Sequence, residues 1–380
     1  MSRPHSDSSL DLLVIGGDPP GHLDLVLEVP RHFPGLRLAG LALSHDSEPE
    51  KARLEKAASQ HGIPFVTDWR DLIGQASAAI HLGPYGLRAG TIQELLGEGN
   101  LRLLIVDKPV ACSLEELAEV ETEIKARPEL LAFPLLTLRF DPRYELMREI
   151  YRGGLLGQAR FVQASRPHKL GARPDWFFDA AMYPGLIADL CVHDVDVATW
   201  ITGKDMTRIV SACEIPVDVG GKTISGFGGF AAEMSNGGVA TISADWFVPM
   251  DAPYHGDCRL EIVGDNGKAT LISDGPRVGI LVEVFDSKSA QTFPGLFSGF
   301  LDRLRSEGIS PDMWHLEPVG DSAGVWMATY PEPTSDAISW RAFGCLQRHL
   351  ASPHGVLPAT FDDLARATRI VLKASRMARG

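Results

Sequence analysis

Three side chains that could transfer or hold a proton recur at helical spacing between Leu186 and Ile201. Asp189, His193 and Asp196 stand at i, i+4 and i+7, so a helix would place them on one stripe. The other positions are apolar nearly all round, which predicts a buried helix whose ionisable groups need partners or a role. The stripe fits a core histidine held by Asp189, an acid–base pair in a catalytic site, or part of a divalent metal site.

A lysine that could contact a substrate follows the apolar run Leu103–Val106, in the triplet Asp107, Lys108, Pro109. If this run is a central parallel strand, Lys108 lies at its carboxyl end, at the crevice where open α/β sheets bind ligands. An ammonium there can donate a hydrogen bond to a substrate hydroxyl and favour its ionisation. The alternative is a surface lysine in front of a helix.

A glycine-rich loop follows the first apolar run and consists of Gly16, Gly17, Asp18, Pro19, Pro20 and Gly21. It stands where a G-x-G-x-x-G dinucleotide fingerprint would lie, and Gly16 and Gly21 match its first and third positions. Asp18 replaces the second glycine and puts a carboxylate on the path of a phosphate, while Pro19 and Pro20 lack amide donors. The loop is therefore either a degenerate cofactor site or an ordinary strand-to-helix turn.

The cofactor's adenosine ribose would lie at the end of the second predicted strand, where NAD-binding chains usually carry an acid. This chain has Ser44 followed by His45, a pair that would also suit the 2′-phosphate of NADP. The pattern leaves NAD and NADP both open. Pro84, after the third predicted strand, and Lys108 are further candidate cofactor contacts.

Buried strands are indicated by five short apolar runs, each bounded by Gly, Pro or charged residues. They are Leu12–Ile15, Leu36–Leu43, Ala78–Leu82, Leu103–Val106 and Leu130–Leu136. The stretches between them have helical spacing, and one begins at a capping box of Ser113 and Glu116. This alternation predicts right-handed crossovers and a doubly wound parallel sheet of the Rossmann type. We therefore predict a dinucleotide-binding domain over residues 1–138.

After residue 138 the pattern changes to hairpin-like runs, which lie mainly between Arg208 and Phe285. We predict a substrate-binding and oligomerisation domain of the α+β class over residues 139–380, built on a large, mostly antiparallel sheet. One face of that sheet would pack on helices, and a second copy of the chain would most simply cover the other. We therefore expect a homo-oligomer, either a dimer or a tetramer.

Composition excludes several classes of protein. The 380 residues are 44% hydrophobic and 22% charged, as is typical of globular chains. A formal net charge of -13 without a long basic run argues against nucleic acid as a partner. The apolar runs are too short for a membrane span, and the five scattered cysteines form no C-x-x-C pair. We expect a soluble, cytoplasmic protein with no membrane partner and no metal cofactor.

Two separated motifs resemble the Gfo/Idh/MocA family, named after glucose-fructose oxidoreductase, inositol dehydrogenase and MocA. Asp107-Lys108-Pro109 is similar to the E/D-K-P motif of that family, and residues 175–196 are similar to its W-x-x-D, G-G and D-x-G-x-H-x-x-D segment. The resemblance runs from about residue 11 to the end of the chain. It implies an NAD- or NADP-linked oxidoreductase that acts on a sugar, an inositol or a related polyol.

The resemblance also implies roles for single residues. His193 would take the hydroxyl proton of the substrate, Lys108 would stabilise the developing alkoxide, and Asp189 would orient His193. The carbon-bound hydrogen would leave as hydride to the nicotinamide. Candidate substrate contacts are His168, Arg173, Trp176 and Tyr183.

The chain departs from the family pattern at several positions. Asp18 replaces a fingerprint glycine, Ser44 replaces the usual ribose-binding acid, and Arg88 stands where relatives often carry histidine. Because Asp18, Pro19 and Pro20 all weaken the phosphate loop, an alternative function stays open. In that alternative the chain is a non-catalytic, ligand-binding member of the same fold that has lost dinucleotide binding.

Overall fold

Two units, each discontinuous in sequence, make up the chain. They are seen in a computed structural model that describes residues 9–18, 20–273, 278–330, 335–353 and 356–380. The first unit combines the chain up to Thr137 with Arg173–Pro184 and Ser335–Arg369, and the second combines Leu138–Ala172, Gly185–Thr334 and Ile370–Gly380. The sequence analysis predicted two functional domains, residues 1–138 and 139–380, with one boundary between them. That functional division stays a prediction.

The first unit is built on a six-stranded, wholly parallel sheet. Its strands are β1 (Leu10–Ile15), β2 (Leu36–Ala42), β3 (Phe65–Val66), β4 (Ala78–His81), β5 (Leu103–Val106) and β6 (Leu131–Pro134). They lie in the order β3-β2-β1-β4-β5-β6, so the order reverses between β1 and β4. Every residue of β4 and β5 is buried, as expected of strands covered on both faces. The predicted Rossmann-type sheet is confirmed.

Helices lie between these strands, as the helical spacing of the intervening stretches predicts. They are α1 (Pro20–His32), α2 (Glu48–His61), α3 (Arg70–Ile73), α4 (Tyr85–Glu98) and α5 (Leu114–Lys125), with α10 (Ser335–Ala351) and the first half of α11 (Phe361–Arg379) from later in the chain. The capping box of Ser113 and Glu116 is present at the start of α5. Two short elements, β3 and α3, were not predicted, because they are too short to show a period.

The second unit contains a nine-stranded sheet. Its strands are β7 (Ala159–Pro167), β8 (Met206–Val219), β9 (Lys222–Met234), β10 (Val239–Asp245), β11 (Arg259–Gly264), β12 (Gly267–Ile272), β13 (Gly279–Val284), β14 (His315–Pro318) and β15 (Val325–Thr329). The order is β14-β15-β13-β12-β11-β7-β10-β9-β8, and only the β7–β10 pair is parallel among these strands. The predicted large, mostly antiparallel sheet is confirmed.

Helices of the second unit are α6 (Pro142–Arg152), α7 (Val192–Thr202), α8 (Ser287–Ala290) and α9 (Phe293–Ser306). A π-helical turn over Ile187–Cys191 leads into α7. The expectation of one continuous α-helix from Leu186 is therefore wrong for its first turn. Such π turns often occur at functional sites, because they change the direction in which the flanking side chains project.

Burial alternates along the central strands of the second sheet, as in β12, where every second residue is buried. The less buried side chains include charged pairs such as Lys268 with Glu283, whose Nζ–Oε2 distance is 2.7 Å. The expected homo-oligomer stays a prediction. Within the described part of the chain, no helix has the length and apolar character needed to cross a bilayer.

Candidate active site

Lys108 lies directly after β5, at the carboxyl edge of the first sheet, as predicted. Its side chain is buried, with 7% of the residue exposed, and Asp107 beside it is 5% exposed. Arg88 in α4 donates from Nη1 to the Pro109 carbonyl at 2.6 Å and from Nη2 to Asp107 Oδ2 at 3.3 Å. Burial alone would raise the pKa of the Asp107 carboxyl, but Arg88, His22 and Lys108 together lower that pKa well below its usual range.

An aromatic cluster of the first unit lies on one side of the Lys108 ammonium. The Nζ atom lies 5.8 Å from the ring centroid of Tyr85, the first residue of α4. Trp176 packs edge-on against the same ring at 5.1 Å, and Tyr183 lies 6.1 Å from it. The structure thus brings Lys108, Trp176 and Tyr183 together around Tyr85. The sequence analysis did not identify Tyr85 as a residue of this group.

Two further predicted substrate contacts, Trp176 and Arg173, lie in the first unit. The Trp176 indole N–H is buried and has no hydrogen-bond partner among the described residues. Arg173 lies with its guanidinium 5.0 Å from the ring centroid of Phe177. A buried, unsatisfied donor is costly, so the Trp176 N–H marks a position where a ligand oxygen would be stabilised.

His81, the last residue of β4, is a site residue that the sequence analysis missed. It is 3% exposed, and its Nε2 atom has no hydrogen-bond partner in the described chain. Burial, reinforced by the charge of Arg88, lowers the pKa of His81 to about 3, so the imidazole is neutral. A polar residue at the carboxyl end of a fully buried strand was the available signal.

Gly16 occupies a conformation that only glycine adopts easily. Its φ is 86°, and a Cβ atom there would lie 2.8 Å from the carbonyl carbon and oxygen of Leu82. The turns after β1 and β4 therefore meet closely at the point where the strand order reverses. This close approach fits the first glycine of a dinucleotide fingerprint.

Asp18 is only 5% exposed and forms an ion pair with Arg53 of α2. Arg53 also donates from Nη1 to the Gly17 carbonyl at 2.8 Å. Burial raises the pKa of Asp18, and the charge and hydrogen bond of Arg53 oppose that rise. The backbone N–H of Asp18 donates to the Leu82 carbonyl at 3.0 Å, so this amide is already used.

Glu50 of α2 is fully buried and accepts hydrogen bonds from the loop and from the end of β2. Its donors are Gly17 N at 3.1 Å, Ser44 N at 3.2 Å and Ser44 Oγ at 2.8 Å. His45 Nδ1 lies 3.3 Å from the other carboxylate oxygen, and the hydrogen bond to Glu50 raises the pKa of His45. A buried carboxylate therefore lies at the end of β2, where its oxygens accept from the chain's own donors.

These residues fit a dinucleotide in part. The close approach at Gly16 and the start of α1 at Pro20 and Gly21 suit a pyrophosphate, and Ser44 and His45 suit an adenosine ribose. Pro84 precedes α4 and follows Gly83, where a Cβ atom would lie 2.5 Å from Ser44 Cβ. The Pro19 prediction lies outside the described residues.

Asp189 and His193 lie on the two sides of the junction between the π turn and α7 in the second unit. Asp189 is 2% exposed, and His193 is partly exposed. Asp196 is held by Arg139, whose Nη2 donates to Oδ1 at 2.6 Å. The sequence analysis considered Asp196 as a possible metal ligand, but in the structure its carboxylate is bonded to Arg139 instead. Among the described residues, no group of three or more His, Cys, Asp or Glu side chains is placed to hold a metal ion.

His168 follows β7 in the second unit, whereas Arg173, Trp176 and Tyr183 belong to the first unit. Its Nε2 atom lies 3.3 Å from Cys258 Sγ, and its ring centroid is 4.8 Å from that of His255. The four predicted substrate contacts are therefore divided between the units. Their shared role stays a prediction.

Parts of the chain are similar in sequence to known proteins. Residues 144–270 match the family model of the GFO/IDH/MocA C-terminal domain. The chain is 23% identical over 245 residues to the uncharacterized oxidoreductase YrbE of Bacillus subtilis, covering 63% of this chain and 69% of that one. It is also 23% identical over 228 residues to scyllo-inositol 2-dehydrogenase (NAD(+)) of the same organism, covering 58% and 63%.

A solved structure shows the same fold. Myo-inositol 2-dehydrogenase from Lactobacillus plantarum superposes with a TM-score of 0.64 at 17% identity, over 98% of this chain and 97% of that one. The fold, the two motifs and the domain match over residues 144–270 point to one family. The resemblance is therefore confirmed: residues 144–270 match the C-terminal domain model of the Gfo/Idh/MocA family, and the chain has the fold of its oxidoreductases.

Proposed function

We propose that this protein is an NAD- or NADP-dependent oxidoreductase that interconverts a hydroxyl and a keto carbon of a sugar, an inositol or a related polyol. The observation that carries the proposal is the buried Lys108 at the carboxyl end of β5, beside Tyr85 and the unpartnered N–H of Trp176. Ligands of open α/β sheets bind at this edge. The similarity to scyllo-inositol 2-dehydrogenase (NAD(+)) of Bacillus subtilis supports the substrate class.

Three residues have catalytic roles in this proposal. Lys108 donates a hydrogen bond to the reacting oxygen and stabilises its developing negative charge. His193 takes the hydroxyl proton, for which an imidazole is suited because its ordinary pKa lies near working pH. Asp189 orients His193. When bound, the nicotinamide supplies the hydride acceptor.

The cofactor is assigned to the loop from Gly16 to Gly21, with Ser44, His45 and Pro84 toward its adenosine end. The proposal includes both NAD and NADP. Ser44 and His45 offer a hydroxyl and an imidazole to the adenosine end, while the Glu50 carboxylate that they contact is buried. The substrate contacts are assigned to Trp176, Tyr183, Arg173 and His168.

A second candidate is a ligand-binding protein without dinucleotide binding. It is favoured by one feature, the buried carboxylate of Asp18 inside the phosphate loop. This candidate predicts that sugars stabilise the protein while dinucleotides do not.

A thermal-shift panel separates the two candidates. NAD, NADH, NADP and NADPH would be combined with a set of sugars and polyols, and turnover would be followed by the absorbance of reduced nicotinamide. A ligand at a hundred times its dissociation constant adds about 2.7 kcal/mol of stability, which is readily measured. Stabilisation by at least one dinucleotide is expected, and stabilisation by polyols alone would replace the oxidoreductase with the second candidate.

A further inference from the structure

We propose that Arg88 is a positioning residue for Lys108, because its guanidinium holds the Asp107 carboxylate and so prevents that carboxylate from drawing the Lys108 ammonium away from the substrate. This inference rests on the proposed function, in which Lys108 contacts the reacting oxygen. It adds a residue of α4 to the machinery at the end of β5.

Arg88 bonds the residues immediately before and after Lys108 in the sequence. The guanidinium bonds the residue before Lys108, through Asp107 Oδ2, and the residue after it, through the Pro109 carbonyl. Only 1% of Arg88 is exposed, and its Cζ lies 4.8 Å from the ring centroid of Tyr85. Lys108 faces that same ring. One buried side chain therefore contacts the Asp107 carboxylate, the backbone carbonyl of Pro109 and the aromatic ring that Lys108 faces.

The charges around Asp107 explain why the pairing matters. Three cationic or titratable groups act on this carboxylate: Arg88, Lys108 and His22. His22 is 44% exposed at its side chain and lies 3.6 Å from Asp107 Oδ2. If Arg88 were removed, the buried carboxylate would keep only Lys108 and the half-exposed His22 as the neighbours that act on its charge. A buried, unpaired carboxylate is costly, so the Lys108 ammonium would move onto it.

Acylation of Lys108 by acetic anhydride, quantified by mass spectrometry, measures this movement without cofactor or substrate. The exposed Lys125 serves as the internal reference. In Arg88→Met, labelling of Lys108 should fall about tenfold, the change expected from one additional ion pair of moderate strength. In Arg88→Met combined with Asp107→Asn, labelling should return to within about twofold of the wild type, because the competing carboxylate is gone.

A purely structural role for Arg88 predicts a different pattern. Labelling that is equally altered in the single and the double variant, or unchanged in Arg88→Met, would overturn the inference. Arg88→Lys keeps a cation and should give an intermediate rate, so it serves if Arg88→Met does not fold. Arg70→Met, which removes a surface arginine paired with Asp68, should leave Lys108 labelling unchanged.

Turnover separates this inference from the function on which it rests. Arg88→Met should lower kcat more than it raises KM, and Asp107→Asn should restore part of the loss. If no dinucleotide binds the wild type, the proposed function fails while the labelling pattern is still measured. If dinucleotides bind and the double variant shows no recovery in either assay, the inference alone fails.

Discussion

The carboxyl edge of the first sheet has two ends that differ in how fully the chain satisfies their buried polar groups. At the loop end, after β1 and β2, the chain satisfies its own groups: Asp18 pairs with Arg53, and Glu50 accepts from Gly17 and Ser44. At the lysine end, after β4 and β5, His81 Nε2 has no hydrogen-bond partner within the described chain. The loop end therefore uses its polar groups on one another, whereas the lysine end keeps at least one buried nitrogen without a partner among the described residues.

The largest effect should come from the lysine end. Lys108→Ala removes the proposed donor to the reacting oxygen, and we expect turnover to fall by about a thousandfold or more. The thermal unfolding temperature should change little, and Lys125→Ala is the matched surface control. Turnover within about tenfold of the wild type would remove Lys108 from the catalytic machinery.

The loop end is tested by restoring the fingerprint glycine. Asp18→Gly removes a buried carboxylate and leaves Arg53 without that partner, so the loop gains positive potential. Dinucleotide affinity should increase about tenfold, as judged by titration of nicotinamide fluorescence. The exposed Asp46 offers a control, because Asp46→Asn removes a carboxylate outside the loop. An affinity that is unchanged or weaker in Asp18→Gly would show that Asp18 does not oppose the phosphates.

The unsatisfied donor at the lysine end gives a smaller and more specific effect. Trp176→Phe deletes the buried N–H while keeping an aromatic ring. Stability in urea should stay the same or rise by up to about 1 kcal/mol, because an unpaired donor is removed. KM for the polyol should rise several-fold, since a ligand oxygen loses its partner. A clear loss of stability with an unchanged KM would make Trp176 a packing residue only.

The smallest effect concerns pH at the loop end. The hydrogen bond to Glu50 raises the pKa of His45 above 6.5, so the folded state holds this proton more tightly than the unfolded chain. The resulting stability is complete below the unfolded pKa and is lost as pH rises through the folded value. Between about pH 6 and about pH 9 the wild type should lose unfolding free energy. The Glu50→Gln variant should lose less of it, the difference being below about 1 kcal/mol. An identical slope in both proteins would rule out the pair as its source.

Local sequence signals predicted most of the first unit. Buried strands such as Leu103–Val106 were recognisable because both faces are apolar, and the position of Lys108 followed from the end of that strand. The strands β14 and β15 were missed because they are too short to show a clear period. The helix α9 was missed although Phe293, Phe297, Phe300 and Leu304 stand at helical spacing.

Partners far apart in sequence were not predictable in the same way. Arg88 with Asp107, Arg53 with Asp18 and Arg139 with Asp196 come together only when helices pack on the sheets. The identity of each residue was visible, but nothing in its spacing specified the pairing. The π turn before α7 is another example, since its sequence reads as ordinary apolar helix.

Protection of Lys108 by a bound dinucleotide tests the central claim most directly. Acylation of Lys108 and Lys125 would be measured with increasing NADH and, separately, NADPH. The proposed function predicts that at least one of them slows labelling of Lys108 at micromolar to millimolar concentration and leaves Lys125 unaffected. If neither dinucleotide changes the labelling of Lys108 at millimolar concentration, that result would contradict a cofactor site at the carboxyl end of β5.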